Sequence, residues 1–149
     1  MSYENVEALA SGLIRTMDAL KIDRPSTWSK SFEGLAPVDL HVLAIAEAKP
    51  DVILREIKDY LDVPNSTLTG IVDRLEGKGL IERVISARDR RSYGLKLTGK
   101  GREVRNEQRL IRRNTAARML EALDSDAERD AFTAMMIKIG DRIGQEVKQ

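Results

Sequence analysis

Three arginines crowd one short segment near the middle of the chain, Arg88-Asp89-Arg90-Arg91. Their positive charges repel one another, and the single aspartate can neutralise only one of them. Phosphates would relieve this repulsion, and an arginine at a loop tip suits a narrow minor groove of duplex DNA. We expect Asp89 to hold Arg91 and stabilise the loop, which leaves Arg88 and Arg90 free for DNA. The alternative is a charged turn that only keeps an edge hairpin soluble.

A helix that could enter a major groove is predicted just before this segment. Its apolar residues recur at helical spacing and form one stripe: Leu68, Ile71, Val72 and Leu75. The other side carries small hydroxyl and amide side chains and then Arg74, which suits contact with base edges and phosphates. Asn65 or Ser66 can cap this helix. Gly70 costs roughly 1 kcal/mol of helix propensity relative to alanine; it indicates close approach of the backbone to another surface, or else a tolerated glycine on a solvated face.

The surrounding pattern predicts a helix-turn-helix followed by a β-hairpin, or wing. Segment 51–61 has apolar residues at helical spacing, beginning with Ile53, and 62–65 is a short polar break. Segments 80–85 and 93–97 alternate with period two, which is typical of paired strands. Many helical domains contain two such helices, so the wing decides in favour of a DNA-binding motif. The predicted DNA-binding residues are Asn65, Ser66, Thr67, Thr69, Gly70, Arg74, Arg88, Arg90 and Arg91, with Asp89 stabilising the wing.

Apolar helical stripes also occur at both ends of the chain. The predicted winged lobe, 36–101, is too small to cover them, so we expect 1–23 and 102–149 to be dimerisation helices within one domain, 1–149. The alternative is the core of a monomer, since a chain of this length can bury one. The expected dimer contacts are Leu9, Leu13, Phe132, Met136, Ile139 and Ile143.

The net charge of +1 conceals two opposed regions. Residues 78–118 hold thirteen lysines and arginines against four acidic residues, a net +9, so the remaining residues carry −8. A basic segment of this kind is typical of a protein with a polyanionic partner, although a solvated basic helix would give part of the same count.

What the sequence lacks excludes several kinds of site. It has no cysteine and one histidine, so we expect no thiol sensor, no metal and no cofactor. We find no phosphate-binding glycine loop, nucleophile elbow or polar catalytic cluster, and we expect no enzymatic activity. No signal-like or long apolar segment is found, so we expect a cytoplasmic protein. Trp28 and His41 are weak candidates for contacting a small ligand. We favour a Trp28 that anchors the polar connection 24–34 and a His41 that is packed or at the surface.

In this order, the segments resemble the MarR family of bacterial and archaeal winged-helix transcription regulators. The resemblance covers about 35–104 and rests on five motifs: Ser66-Thr67-Leu68-Thr69, Val72-Asp73-Arg74-Leu75-Glu76, Lys78-Gly79-Leu80-Ile81, Asp89-Arg90-Arg91-Ser92 and Leu97-Thr98 to Gly101. It implies a mainly α (α+β) winged helix-turn-helix with flanking dimerisation helices. It also implies a homodimer on a pseudo-palindromic operator in double-stranded DNA, usually a repressor and often released by a small-molecule effector. The alternative is a protein-interaction or architectural winged helix without a specific operator.

Overall fold

The computed structural model describes residues 2–21 and 24–146, and it confirms the mainly helical winged helix-turn-helix. Two short 3-10 turns, Pro25–Thr27 and Lys30–Phe32, occupy the polar connection. The helices and strands are, in order, α1 Tyr3–Leu20, α2 Pro37–Ala48, α3 Leu54–Leu61, α4 Asn65–Gly77, β1 Ile81–Ile85, β2 Tyr93–Leu97, α5 Gly99–Glu121 and α6 Asp126–Glu146. The predicted dimerisation segments also include positions 1, 22, 23 and 147–149, which lie outside the described residues.

The chain divides into two compact units, 1–111 and 112–149. The first unit is larger than the predicted lobe, 36–101, because its core includes residues on both sides of that range. Phe32 and Leu35 are buried ahead of it, and Val104, assigned from sequence to a dimerisation helix, is 3% exposed in the same core. The first turns of α5 therefore belong to the winged lobe.

The apolar stripe of α4 is the centre of that core. Leu68, Ile71, Val72 and Leu75 are all buried, and Leu75 is 0% exposed. Burying a leucine or isoleucine side chain contributes about 1.5–3 kcal/mol. Because these four residues face inward, the polar residues between them must face outward.

The wing is a two-stranded antiparallel hairpin that continues into the start of α3. In β1 and β2, Ile81 lies opposite Leu97 and Ile85 opposite Tyr93. Gly94 of β2 also forms a bridge with Ile53, and a Cβ at Gly94 would lie 2.7 Å from the Val52 carbonyl oxygen. The expectation that the helix begins near residue 51 is therefore wrong: Ile53 is extended and α3 begins at Leu54.

In the second unit, side-chain hydrogen bonds hold the connection between α5 and α6 in place. The Glu128 carboxylate accepts the Asp124 and Ser125 N–H groups at 2.8 and 3.2 Å, which caps α6. The Arg129 guanidinium donates to the Leu120 and Leu123 carbonyls at 3.1 and 2.8 Å. Arg129 thus binds one carbonyl in the last turn of α5 and one in the connection that follows it.

Candidate nucleic-acid interface

The first half of α4 presents an unobstructed polar surface. Asn65, Ser66, Thr67, Thr69 and Gly70 are all exposed. The expected cap by Asn65 or Ser66 is not formed, because α4 begins at Asn65 and Pro64 occupies the capping position without a side-chain bond. Within the described residues, the Ser66 and Thr67 hydroxyls have no partner. They are therefore available to an outside ligand, together with the N–H groups of the first turn.

Thr69 and Gly70 extend this surface along α4. The Thr69 hydroxyl donates to the Asn65 carbonyl at 2.9 Å, so part of its hydrogen-bonding capacity is used inside the helix. A Cβ built at Gly70 would meet no described atom within 4 Å. The fold of this chain therefore does not require a glycine there. Close approach of the helix to an outside surface stays a prediction.

Arg74 is placed differently from the prediction that it reads the major groove. Its Nε and Nη2 atoms donate to the two carboxylate oxygens of Asp39 at 3.0 and 2.6 Å, and Asp39 is 0% exposed. The Asp39 hydrogen bond raises the pKa of Arg74. Asp39 also accepts the Ala36 N–H at 2.8 Å, at the start of α2. A buried carboxylate without a partner would cost several kcal/mol, which gives Arg74 an internal role. The sequence signal for this ion pair was Asp39, an acidic residue near the start of a helix that is mostly apolar.

Sequence reasoning missed Arg83 of β1, which joins the wing to α4. Its guanidinium donates to the carboxylates of Asp73 and Glu76, and the Asp73 hydrogen bond raises the pKa of Arg83. One positive charge is thereby shared by two acidic groups on α4. Arg83 also lines a groove of about 360 Å³ beside α3 and α4, with Arg55 and Lys58 on its α3 side. Three cations thus border the exposed polar surface of α4.

The wing tip is folded around Asp89. Its carboxylate accepts the Arg91 backbone N–H at 3.0 Å and the Ser92 hydroxyl at 2.6 Å, and these bonds lower the pKa of Asp89, the Ser92 bond most. Asp89 therefore holds the loop through the Arg91 amide, whereas the sequence predicted an ion pair with the Arg91 side chain. The Arg90 and Arg91 guanidinium groups are exposed and have no partner among the described residues.

Arg88 is placed differently from its predicted role as a free DNA contact. Its guanidinium forms ion pairs with Asp51 at 3.0 Å and with Glu56 at 2.8 Å, both at the N-terminal side of α3. The cause is local electrostatics, since Arg88 lies at the base of the wing beside two carboxylates. The Glu56 hydrogen bond raises the pKa of Arg88, and the Arg88 bond is the main reason that the pKa of Glu56 is lowered.

Two further arginines of the basic segment pair with α2. Arg105 and Arg109 contact the Glu47 carboxylate at 3.0 and 2.7 Å. Burial alone would raise the pKa of Glu47, but hydrogen bonds from Arg109 and Arg105 and their charges lower it overall. Together with Arg83 and Arg88, four cations of segment 78–118 are neutralised by acidic residues outside it. The other nine cations of the segment, Arg90 and Arg91 at the wing tip among them, form no ion pair within the described residues and remain available to a polyanion.

Comparison with known proteins agrees with this geometry. The MarR family model matches residues 35–93. The HTH-type transcriptional regulator MhqR of Bacillus subtilis (strain 168) is 32% identical over 109 residues, which are 72% of this chain and 73% of MhqR. This chain belongs to the MarR family.

A second relative of this MarR chain is also a transcriptional regulator by name, and a solved structure shares its fold. The HTH-type transcriptional repressor MdtR of Bacillus subtilis (strain 168) is 33% identical over 100 residues, which are 66% of this chain and 64% of MdtR. The match thus spans just under two thirds of MdtR. The crystal structure of Streptococcus pneumoniae FabT in complex with DNA has the same fold, with a TM-score of 0.77 and 23% identity over 97% of this chain and 99% of FabT.

The predicted dimer contacts of this MarR chain lie on two helices. On α1, Leu9 and Leu13 are 64% and 54% exposed, and no residue of this helix is buried in the part of the chain that the structure describes. On α6, Phe132 is half-buried, whereas three apolar side chains are about half exposed: Met136, Ile139 and Ile143. Each helix therefore presents an apolar row that a single chain leaves in water.

The two candidate ligand residues make aromatic contacts. Trp28 is half-buried and packs edge-on against Phe32, with ring centroids 6.3 Å apart. His41 is exposed and packs edge-on against Tyr60 at 5.8 Å. Among the described residues, no cluster of three metal-binding side chains is found, and no helix is long and apolar enough to cross a membrane.

Proposed function

We propose that this MarR-family chain is a sequence-specific DNA-binding transcriptional regulator that binds a pseudo-palindromic operator as a homodimer. The observation that carries the proposal is the exposed polar face of α4, followed by a wing whose tip arginines, Arg90 and Arg91, are unpaired within the described chain. The names of its relatives support this function: MdtR is a transcriptional repressor, and FabT was crystallised in complex with DNA.

In the proposed complex, α4 enters the major groove and the wing follows the neighbouring minor groove. The Ser66 and Thr67 hydroxyls contact base edges or phosphates, and the N–H groups of the first turn bind a phosphate. Gly70 allows the helix to approach the duplex without a Cβ in between. Arg90 enters the minor groove, where closely spaced phosphates favour a guanidinium.

The partner of the apolar rows on α1 and α6 is a second copy of this chain. Two-fold symmetry would place two recognition helices about 34 Å apart, one turn of duplex, which matches a palindromic operator. Exposure of Leu13, Ile139 and Ile143 supports this assembly, because a monomer would leave these side chains in water.

A single charge in these rows tests the dimer. Replacing Ile139 with Asp should yield a monomer at micromolar concentration and abolish binding to the full palindrome, since a carboxylate would be buried without a partner. Sedimentation and anisotropy measure the two effects, and Ser26→Ala, at an exposed residue that belongs to neither helix, is the control. A monomeric variant that still binds the full palindrome with wild-type affinity would contradict the proposed assembly.

Repression, and its release by a small-molecule effector, complete the proposal and are supported by membership of the MarR family and by the MdtR repressor. Because the proposed partner is chromosomal DNA, the proposal locates the protein in the cytoplasm. The alternative, a protein-interaction or architectural winged helix without a specific operator, predicts no preference for a palindrome.

Operator binding is tested by fluorescence anisotropy on duplexes from the region upstream of the gene. We expect a Kd of about 10⁻⁸ to 10⁻¹¹ M for an inverted repeat, and binding at least about 10³-fold weaker to a duplex of the same composition with scrambled half-sites. Ser66→Ala and Thr67→Ala should reduce this discrimination, whereas Ser26→Ala should not. Equal affinity for both duplexes would contradict the proposed function and favour an architectural winged helix without a specific operator.

A further inference from the structure

Arg88 spans from the base of the wing to the N-terminal side of α3. Its Nε contacts the Asp51 carboxylate at 3.0 Å, and its Nη2 contacts the Asp51 carbonyl and the Glu56 carboxylate, each at 2.8 Å. One guanidinium thus holds three oxygen atoms of another element. We call these three residues, Arg88, Asp51 and Glu56, the wing latch.

Two neighbouring groups fix both ends of the wing latch. Ser86 is 2% exposed, and its hydroxyl accepts the Arg88 and Asp89 N–H groups at 3.1 and 3.3 Å while it donates to Asp51 at 3.3 Å. On the other side, Glu56 also accepts the Ile53 N–H at 3.1 Å and so caps α3. The latch is therefore built into the capping of a helix and the turn of a hairpin.

We propose that Arg88 is a positioning residue for DNA binding: it fixes the wing against α3 and thereby sets where the tip arginines lie relative to the recognition helix. This inference rests on the proposed function, because the positioning matters only if α4 and the wing bind one duplex. The tip arginines then contact the minor groove, whereas Arg88 remains bound to Asp51 and Glu56.

The charges of the latch carboxylates distinguish a positioning role for Arg88 from a direct DNA contact. If Arg88 turned to a phosphate, the two latch carboxylates would lose their strongest neutralising charge beside a polyanion, with Lys49 the other cation that acts on Glu56. A carboxylate without a cationic partner repels the DNA phosphates, so removing the charge of Glu56 would then strengthen binding. In the latch, Glu56 holds Arg88, and its removal weakens binding. The two roles predict opposite signs for the same substitution.

The first test requires no DNA. Hydrogen exchange is measured at the wing amides, above all those of Ser86 and Ser92, which donate to the Ser92 and Asp89 carbonyls, each at 2.9 Å. Glu56→Gln and Asp51→Asn should speed exchange there by about two- to fivefold, the range expected for exposed ion pairs. Glu82→Gln, which removes an exposed acid from the same hairpin, should leave exchange unchanged. Unchanged exchange in both latch variants would overturn the inference.

The second test measures operator affinity and its salt dependence. Arg88→Gln and Glu56→Gln should each weaken binding by about two- to fivefold, and the double variant should be no weaker than Arg88→Gln alone, because that change already removes the ion pair with Glu56. Arg88→Lys should recover part of the loss. The slope of affinity against salt should stay at its wild-type value in all four variants, while Arg90→Gln should reduce it by about one phosphate.

The outcomes separate the inference from the proposed function. A lower salt slope for Arg88→Gln, together with tighter binding by Glu56→Gln, would overturn the latch and make Arg88 a direct DNA contact. Faster wing exchange in the latch variants of a protein that does not distinguish a palindrome from scrambled DNA would support the latch and contradict the proposed function.

Discussion

The recognition helix and the wing face the same proposed partner but are held in place by different forces. On α4, Leu75 and Val72 are almost completely buried, and Arg74 is bound to a buried carboxylate. The wing tip is held by hydrogen bonds of Asp89 and by the ion pairs of Arg88, all at exposed positions. Substitutions on the buried side of α4 should therefore change folding and binding together, whereas substitutions in the wing should change binding with little effect on stability.

The largest effect is expected from the buried side of α4. Replacing Leu75, 0% exposed, with alanine should lower the free energy of unfolding by about 2–5 kcal/mol, since it leaves a cavity in the core. The matched change in the wing is Ile85→Ala, at a side chain that is 63% exposed, and should cost less than about 1 kcal/mol. Urea unfolding measures both. Equal losses would remove the contrast between the two regions.

A smaller loss of stability is expected at Arg74. Arg74→Ala should lower the free energy of unfolding by about 1–3 kcal/mol, because it leaves Asp39 buried with the Ala36 N–H as its remaining donor among the described residues. The value lies below that of a fully buried pair because the Arg74 side chain is 41% exposed. If stability is unchanged while operator binding falls by about 1–3 kcal/mol, Arg74 is a base contact, as its position in the sequence first suggested.

Replacing Gly70 should change stability and operator binding in opposite directions. Gly70→Ala should raise the free energy of unfolding by up to about 1 kcal/mol, because alanine favours the helix and the space beside Gly70 is open in the described chain. It should weaken operator binding, because the added methyl group blocks close approach to DNA. Thermal unfolding and anisotropy of one preparation measure both. A variant that is more stable and binds equally well would show that Gly70 is only tolerated.

The sequence predicted what depends on periodicity. The stripe of α4, the two strands and the order of elements follow from spacings of 3.6 and 2 residues, which local sequence displays directly. The same reasoning placed Ile53 in a helix. It failed there because pairing with Gly94, far along the chain, decides that backbone.

The sequence did not predict the ionic partners of the site. Arg74 pairs with Asp39 and Arg88 with Asp51 and Glu56, each across more than thirty residues of sequence. No spacing rule connects such positions, because a charge selects whichever opposite charge the fold brings within reach. Arg83 forms ion pairs with Asp73 and Glu76, and recognising this likewise required the register of the hairpin. The arginines were thus recognised by type, but their roles required three-dimensional structure.

The smallest effect on stability, and the most direct test of the account, is expected at Arg90. The measurement is operator affinity against salt concentration for the wild type and Arg90→Gln, with thermal unfolding of both proteins. The account predicts an unchanged melting temperature, weaker binding and a salt slope reduced by about one phosphate, because the exposed Arg90 side chain has no hydrogen-bond or ion-pair partner among the described residues and is free for DNA. Wild-type affinity and salt slope in Arg90→Gln would contradict it.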